Sequence, residues 1–133
     1  MKNILKLSFF LVAILLVSCT SKEKDIEKLK SETIAIHDEV MPKMDDIMKL
    51  KKALKAKKDT SEDVKPNQVQ DLILALEEAD EAMMNWMRNY DPRMEAMSDE
   101  EKIAYLKRQK KSIEEVSEKM KFSISEAEAF LNQ

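Results

Sequence analysis

The chain has 133 residues, 37% of them charged, with a formal net charge of −3, one cysteine, one histidine and no glycine. A lone cysteine excludes a disulfide framework, and the lack of glycine excludes a phosphate-cradling loop. The acidic balance argues against a nucleic-acid partner, which needs a basic face. With so few nucleophile-and-base candidates, no enzymatic activity is expected.

Lys2 and Lys6 lead into an apolar run from Leu7 to Val17, the pattern of an export signal. Its last four residues, Leu16-Val17-Ser18-Cys19, resemble the bacterial lipobox, in which the cysteine is diacylated and becomes the new N-terminus. The run is shorter than the roughly 20 apolar residues of a spanning helix. Residues 1–18 therefore read as a lipoprotein signal peptide and Cys19 as a lipidation site carrying palmitate-type chains, with no thiol left for redox or metal chemistry. Losing Lys2 and Lys6 takes the formal charge from −3 to −5. Residues 19–25 are expected to be a polar, lipidated tether. Thr20 stands where an inner-membrane retention signal would place aspartate, so the outer membrane is the expected location, on its periplasmic face or the cell surface.

Abundant Ala, Leu, Met, Glu and Lys favours long helices. The first is expected over about 25–57. Ile26, Leu29, Thr33, Ile36 and Val40 follow a heptad seam, then Met44, Ile47, Lys51 and Leu54 continue it. Two consecutive steps of four around Val40 to Met44 form a stutter, and Pro42 falls there, so a kink has two causes. Lys51, Lys52, Lys55, Lys57 and Lys58 crowd the C-terminal end, where cations suit the helix dipole.

Pro66 opens a second helix over about 66–90, with Val69, Leu72, Leu76, Ala79, Met83, Trp86 and Tyr90 as its seam. Asp91-Pro92 ends it. Ser98-Asp99-Glu100-Glu101 is a capping box for a third helix over about 99–131. Its seam runs Ile103, Leu106, Lys110, Ile113, Ser117, Met120, Ile124, Ala127 and Leu131, with Val116 and Phe122 alongside. Three long helices on short loops predict an all-α fold, an up-down-up antiparallel three-helix bundle over 26–133. An elongated coiled-coil oligomer is the alternative, since heptads do not say whether partners are in cis or trans.

His37, Met41, Met44 and Met48 are spaced to share one helical stripe. Pairing the first two helices about the loop near residue 62 brings His37 beside Trp86 and Met87, and Met41 beside Met83. Soft thioethers with one imidazole suit Cu(I), so His37, Met41, Met44, Met83 and Met87 are a candidate copper(I) set. The competing reading is that methionine fills an irregular core around the proline kink. Trp86, Met84 and Tyr90 are a candidate interaction patch, although heptad phase turns Trp86 and Tyr90 inward and Met84 outward.

His37-Asp38-Glu39-Val40-Met41-Pro42-Lys43-Met44 and Asn85-Trp86-Met87-Arg88-Asn89-Tyr90, with the lipobox, resemble a family of small Gram-negative lipoproteins often labelled "viral A-type inclusion protein". The resemblance covers most of the chain after Cys19. It implies a helical envelope lipoprotein with no assigned activity, and brings no catalytic residues.

Three functions follow as expectations. The first is a lipid-anchored structural or protein-interaction module whose partners are the membrane and envelope proteins, with no cofactor beyond the lipid on Cys19. The second is a Cu(I)-binding lipoprotein. The third is an envelope chaperone or adhesion factor presenting an amphipathic helical surface.

Overall fold

In a computed structural model of the chain, the backbone of residues 2–60 and 66–133 and the side chains of 21–59 and 67–133 are described. The Cys19 side chain and most of the first loop lie outside the described residues. Four helices follow one another: α1 (Lys2–Val40), α2 (Lys43–Thr60), α3 (Pro66–Asn89) and α4 (Asp99–Leu131). Among the described residues no helix is long and apolar enough to cross a membrane.

The expected first helix is thus two, broken at Met41-Pro42. Pro42 lacks the N–H that would continue the α-helical ladder. The chain turns instead through shorter bonds, from the Met44 N–H to the Met41 carbonyl at 3.2 Å and from the Asp45 N–H to the Pro42 carbonyl at 3.3 Å. The break does not disturb the heptad phase. Thr33, Val40, Ile47 and Leu54, each seven residues apart, are all fully buried, so α1 and α2 act as one bent helix. α1 also begins earlier than expected. Ser21 to Asp25, anticipated as tether, are helical. No Gly or Pro interrupts the run, and Lys22 pairs with Glu100 at the start of α4.

Cross-helix contacts give the directions. Glu32 and Glu39 of α1 meet Lys110 and Lys121 of α4 at 2.9 and 2.7 Å, so the numbers rise together and these helices are parallel. Glu78 of α3 meets Lys119 at 3.1 Å, and the Trp86 indole N–H reaches the Gln109 carbonyl at 3.4 Å, so α3 runs against α4. This is the expected up-down-up bundle. α1 packs along α4, while α2 packs on both α3 and α4.

The main core joins Val40, Ile47 and Leu54 to Val69, Leu76, Met83 and Trp86 of α3, and to Ile113, Met120 and Ala127 of α4. Two charged residues in the seams escape through their long stems. Lys51 reaches Glu77 at 3.0 Å, and Lys110 reaches Glu32. Thr33 satisfies its hydroxyl on the Leu29 carbonyl at 2.7 Å, and Ser123 its own on Met120 at 3.1 Å. Phe122, expected beside the seam, is instead 68% exposed.

α3 ends three residues past Trp86, which stacks on His37. The N-terminal parts of α1 and α4 therefore continue without α3 as a two-helix arm. The connector 90–98 lies against it, with the Asp91 N–H donating to the Tyr105 hydroxyl at 2.7 Å. Met94 is buried there in the left-handed region, at φ 51°, in a chain with no glycine to take that position. The Ser98 capping box forms as expected: the Ser98 N–H donates to Glu101 Oε2 at 2.7 Å and the Glu101 N–H to Ser98 Oγ at 3.4 Å.

Candidate functional site

The junction of arm and bundle gathers four rings, three from α1, α3 and α4 and one from the connector after α3. His37 of α1 lies 5.5 Å from Trp86, at an interplanar angle of 27°. Trp86 lies 4.8 Å from Tyr90 at 18°, and Tyr90 lies 6.2 Å from Tyr105 of α4 at 23°. Tyr90, the first residue after α3, keeps the helical bond from its N–H to the Trp86 carbonyl at 3.0 Å, so the four-residue spacing leaves both rings on one face. His37 is brought opposite by the antiparallel run of α1 and α3. The result is a continuous ladder of near-parallel rings that enters from the half-buried imidazole and reaches into the interhelical space.

The polar atoms of the ladder differ sharply. His37 Nδ1 is 2.9 Å from Asp38 Oδ1. The Trp86 N–H uses a main-chain carbonyl on α4. The Tyr105 hydroxyl accepts from the backbone of Asp91. The Tyr90 hydroxyl is buried with no hydrogen-bond partner among the described residues. Burial pushes its pKa up, and Tyr105 and Asp91 push the same way.

The copper(I) candidates are distributed unevenly. Met83 is fully buried, and Met44 and Met87 pack half-buried against the core that holds Trp86. Met41 is 39% exposed. The expected methionine stripe does not hold together, since Met44 turns to the core while Met48, on the same helix, is 58% exposed. His37, which stacks on Trp86, is the one of these candidates placed on the ring ladder. Among the described residues, no three His, Cys, Asp or Glu side chains group as a metal site.

The candidate interaction residues also separate. Trp86 is buried, Tyr90 half-buried and Met84 exposed, so the three do not form one exposed patch. Tyr105 and Met94 entered no sequence-level site. Tyr105 sits next to the Leu106 seam position and carried no separate signal, and the positive φ of Met94 falls on a residue type that gives no warning of it.

Around this junction the charged surface is ordered. In the arm, Asp25, Lys28, Leu29, Glu32, Ile103 and Lys107 line a groove of about 290 Å³. On the far side, Glu78, Glu81, Asn85 and Lys119 line a groove of about 430 Å³ between α3 and α4. At the opposite end of the bundle Lys57 donates to the Phe130 and Leu131 carbonyls at 3.0 and 3.4 Å, with its ammonium 5.0 Å from the Phe130 ring centre. That lysine serves the C-terminus of α4, besides ending its own helix. No family model matches this chain, and no curated protein or solved structure matches it either.

Proposed function

We propose that this chain is a lipid-anchored, non-catalytic protein-interaction module of the Gram-negative cell envelope. The observation that carries the reading is Leu16-Val17-Ser18-Cys19, a lipobox followed directly by the charged stretch Ser21 to Asp25. The likeness of the His37–Met44 and Asn85–Tyr90 motifs to small envelope lipoproteins supports it. So does the layout of α1, which is helical from Ser21 onward and leaves little slack between Cys19 and the bundle. Acyl chains contribute about 0.8 kcal/mol per buried methylene, so two or more hold a domain at a membrane without a spanning helix. Metabolic labelling with a palmitate analogue tests the anchor. The full chain takes the label and fractionates with outer membrane, while Cys19→Ala loses the label and becomes soluble. Label retained by Cys19→Ala, or full-length chain recovered only in the soluble fraction, refutes it.

A second reading is Cu(I) binding at His37 with Met41, Met44, Met83 and Met87. One observation favours it: a carboxylate on Nδ1, here Asp38, is the usual means of orienting a ligating imidazole through its other nitrogen. Anaerobic Cu(I) titration against a competing chelator tests it. Submicromolar binding weakened by His37→Ala supports the reading, and binding indifferent to that substitution removes it.

A further inference from the structure

The flank where α2 meets α3 has its register fixed at two points. Lys51 pairs with Glu77 at 3.0 Å. One heptad further along, Lys58 and Gln70 line a groove of about 430 Å³ with the buried Ile73 at its base. A step of seven forward on α2 is thus answered by a step of seven back on α3, as two unbroken antiparallel helices require. The same step in the other direction sets Met44 opposite Met84. Met48, one turn along from Met44, then stands level with Asp80, one turn back from Met84.

Core filling explains Met83 and Met120, which are fully buried. It does not explain Met84 and Met48, which are 36% and 58% exposed. Met44, half-buried against the core, is the inner edge of this flank, and Met48 and Met84 are its rim. Asp80 is half-buried at the same level and has no ion pair or hydrogen bond among the described residues. Lys51, one heptad from Met44, is held by Glu77. Thioether sulfur is a soft, neutral donor that selects Cu(I) over harder ions, and a nearby carboxylate balances the charge such an ion brings. Three side chains offer far less than the roughly 800 Å² a side that a stable protein partner buries, so an ion suits this flank better than a docked chain.

We infer that Met44, Met48 and Met84 form a Cu(I) site between α2 and α3, with Asp80 as its counter-charge. The inference rests on the copper reading only for the class of ion and for Met44. It moves the ion away from His37, whose ring is stacked on Trp86 and whose Nδ1 is engaged by Asp38, and away from the buried Met83. Met48 and Met84 replace them, because an ion arriving from solvent meets the rim of the flank before anything in the core.

Methyl-labelled methionine gives a site-resolved test. The full chain, in detergent and without oxygen, is titrated with Cu(I) and followed by methyl NMR, with affinity measured against a competing chelator. A single equivalent should shift the Met44, Met48 and Met84 methyls together and leave Met120 in place. Zn(II) at the same level should move none of them, since thioethers are poor ligands for it. Met48→Leu and Met84→Leu keep the side-chain volume, and each should weaken Cu(I) at least about tenfold by removing one of three donors. An unchanged urea midpoint shows that Met84→Leu folds as before, and the more exposed Met48→Leu decides if that midpoint moves. Affinity that falls in both methionine variants and not in His37→Ala supports this site and removes the histidine-centred one. Affinity that falls in His37→Ala alone, with the shifts at Met87, does the reverse. No saturable binding overturns both. Shifts spread over every methionine, or reproduced by Zn(II), overturn the inference as well.

Discussion

The Tyr90 ring lies between Trp86 and Tyr105, and its buried hydroxyl finds no partner among the described residues. A buried hydroxyl without a bond loses its hydration and recovers nothing, whereas the ring keeps its stacking in phenylalanine. Tyr90→Phe is therefore expected to leave stability unchanged or raise it by up to about 1 kcal/mol, read from the urea midpoint at constant slope. A clear loss would mean that the hydroxyl makes a contact that stabilises the native state. Trp86 is the opposite case. It is nearly buried, stacks on two rings and spends its N–H on α4. Trp86→Ala should cost about 3–5 kcal/mol, as for other large aromatics removed from a core. His37, at the partly exposed end of the ladder, should cost about 1 kcal/mol or less on truncation, the scale of one aromatic pair.

The ends and the bend of the helices show which element-scale features were legible. Thr33, Val40, Ile47 and Leu54 could be read directly, because a seven-residue repeat survives a proline break when the helix resumes in phase. The Ser98 cap was legible because its partners are three residues apart. The His37–Trp86 neighbourhood followed from counting residues about a short loop. Phe122 was misjudged: two residues beyond the core Met120, it lies about 200° around the helix, on the opposite face. The role of Lys57 was hidden for a different reason, since the carbonyls it serves are 73 and 74 positions away. Those carbonyls belong to the last turn of α4, past the regular intrahelical ladder, where that of Phe130 otherwise accepts from the C-terminal turn, the Gln133 N–H at 3.4 Å. Lys57→Met keeps the stem against Phe130 and removes only the ammonium, so it should cost about 1 kcal/mol. Helix α4 should fray at residues 128–131, seen as faster amide exchange there, with α3 unaffected. Equal loss of protection throughout would show that Lys57 acts through packing rather than as a cap.

At the scale of the molecule, apolar packing and ion pairs both hold the helices, and the large core lies at one end of the long axis. The bundle of α2, α3, α4 and the end of α1 at Val40 shares the apolar core, whereas Leu106 and Met94 of the arm are buried outside that cluster. Ion pairs add to the arm: Lys22 with Glu100, Glu32 with Lys110, and at its inner limit Glu39 with Lys121. Hydrogen bonds from those lysines hold the carboxyls of Glu100, Glu32 and Glu39 below the usual carboxylate range, and the Ser98 backbone does the same for Glu101. A carboxyl whose pKa is lowered on folding binds fewer protons in the native state, so its contribution is present above the unfolded value and is lost as pH falls through the folded one. Lys110 and Lys121 are raised in turn by the same partners, so their contribution holds below the ordinary lysine value and fades at strongly alkaline pH. All these groups face solvent, where each pair is weak and screened by salt. What matters is that the lowered carboxyls cluster on the arm and at its border with the bundle. Acid should therefore open the molecule unevenly. Hydrogen exchange followed by mass spectrometry at falling pH should show residues 21–36 and 99–112 losing protection first, while 69–86 and 113–130 keep theirs until the core fails. Added salt should bring the loss to higher pH, because it weakens the pairs that the protons compete against. Simultaneous exchange in both regions would mean that the arm and bundle unfold as one unit, with α4, which runs unbroken through both, coupling them more strongly than the ion pairs distinguish them.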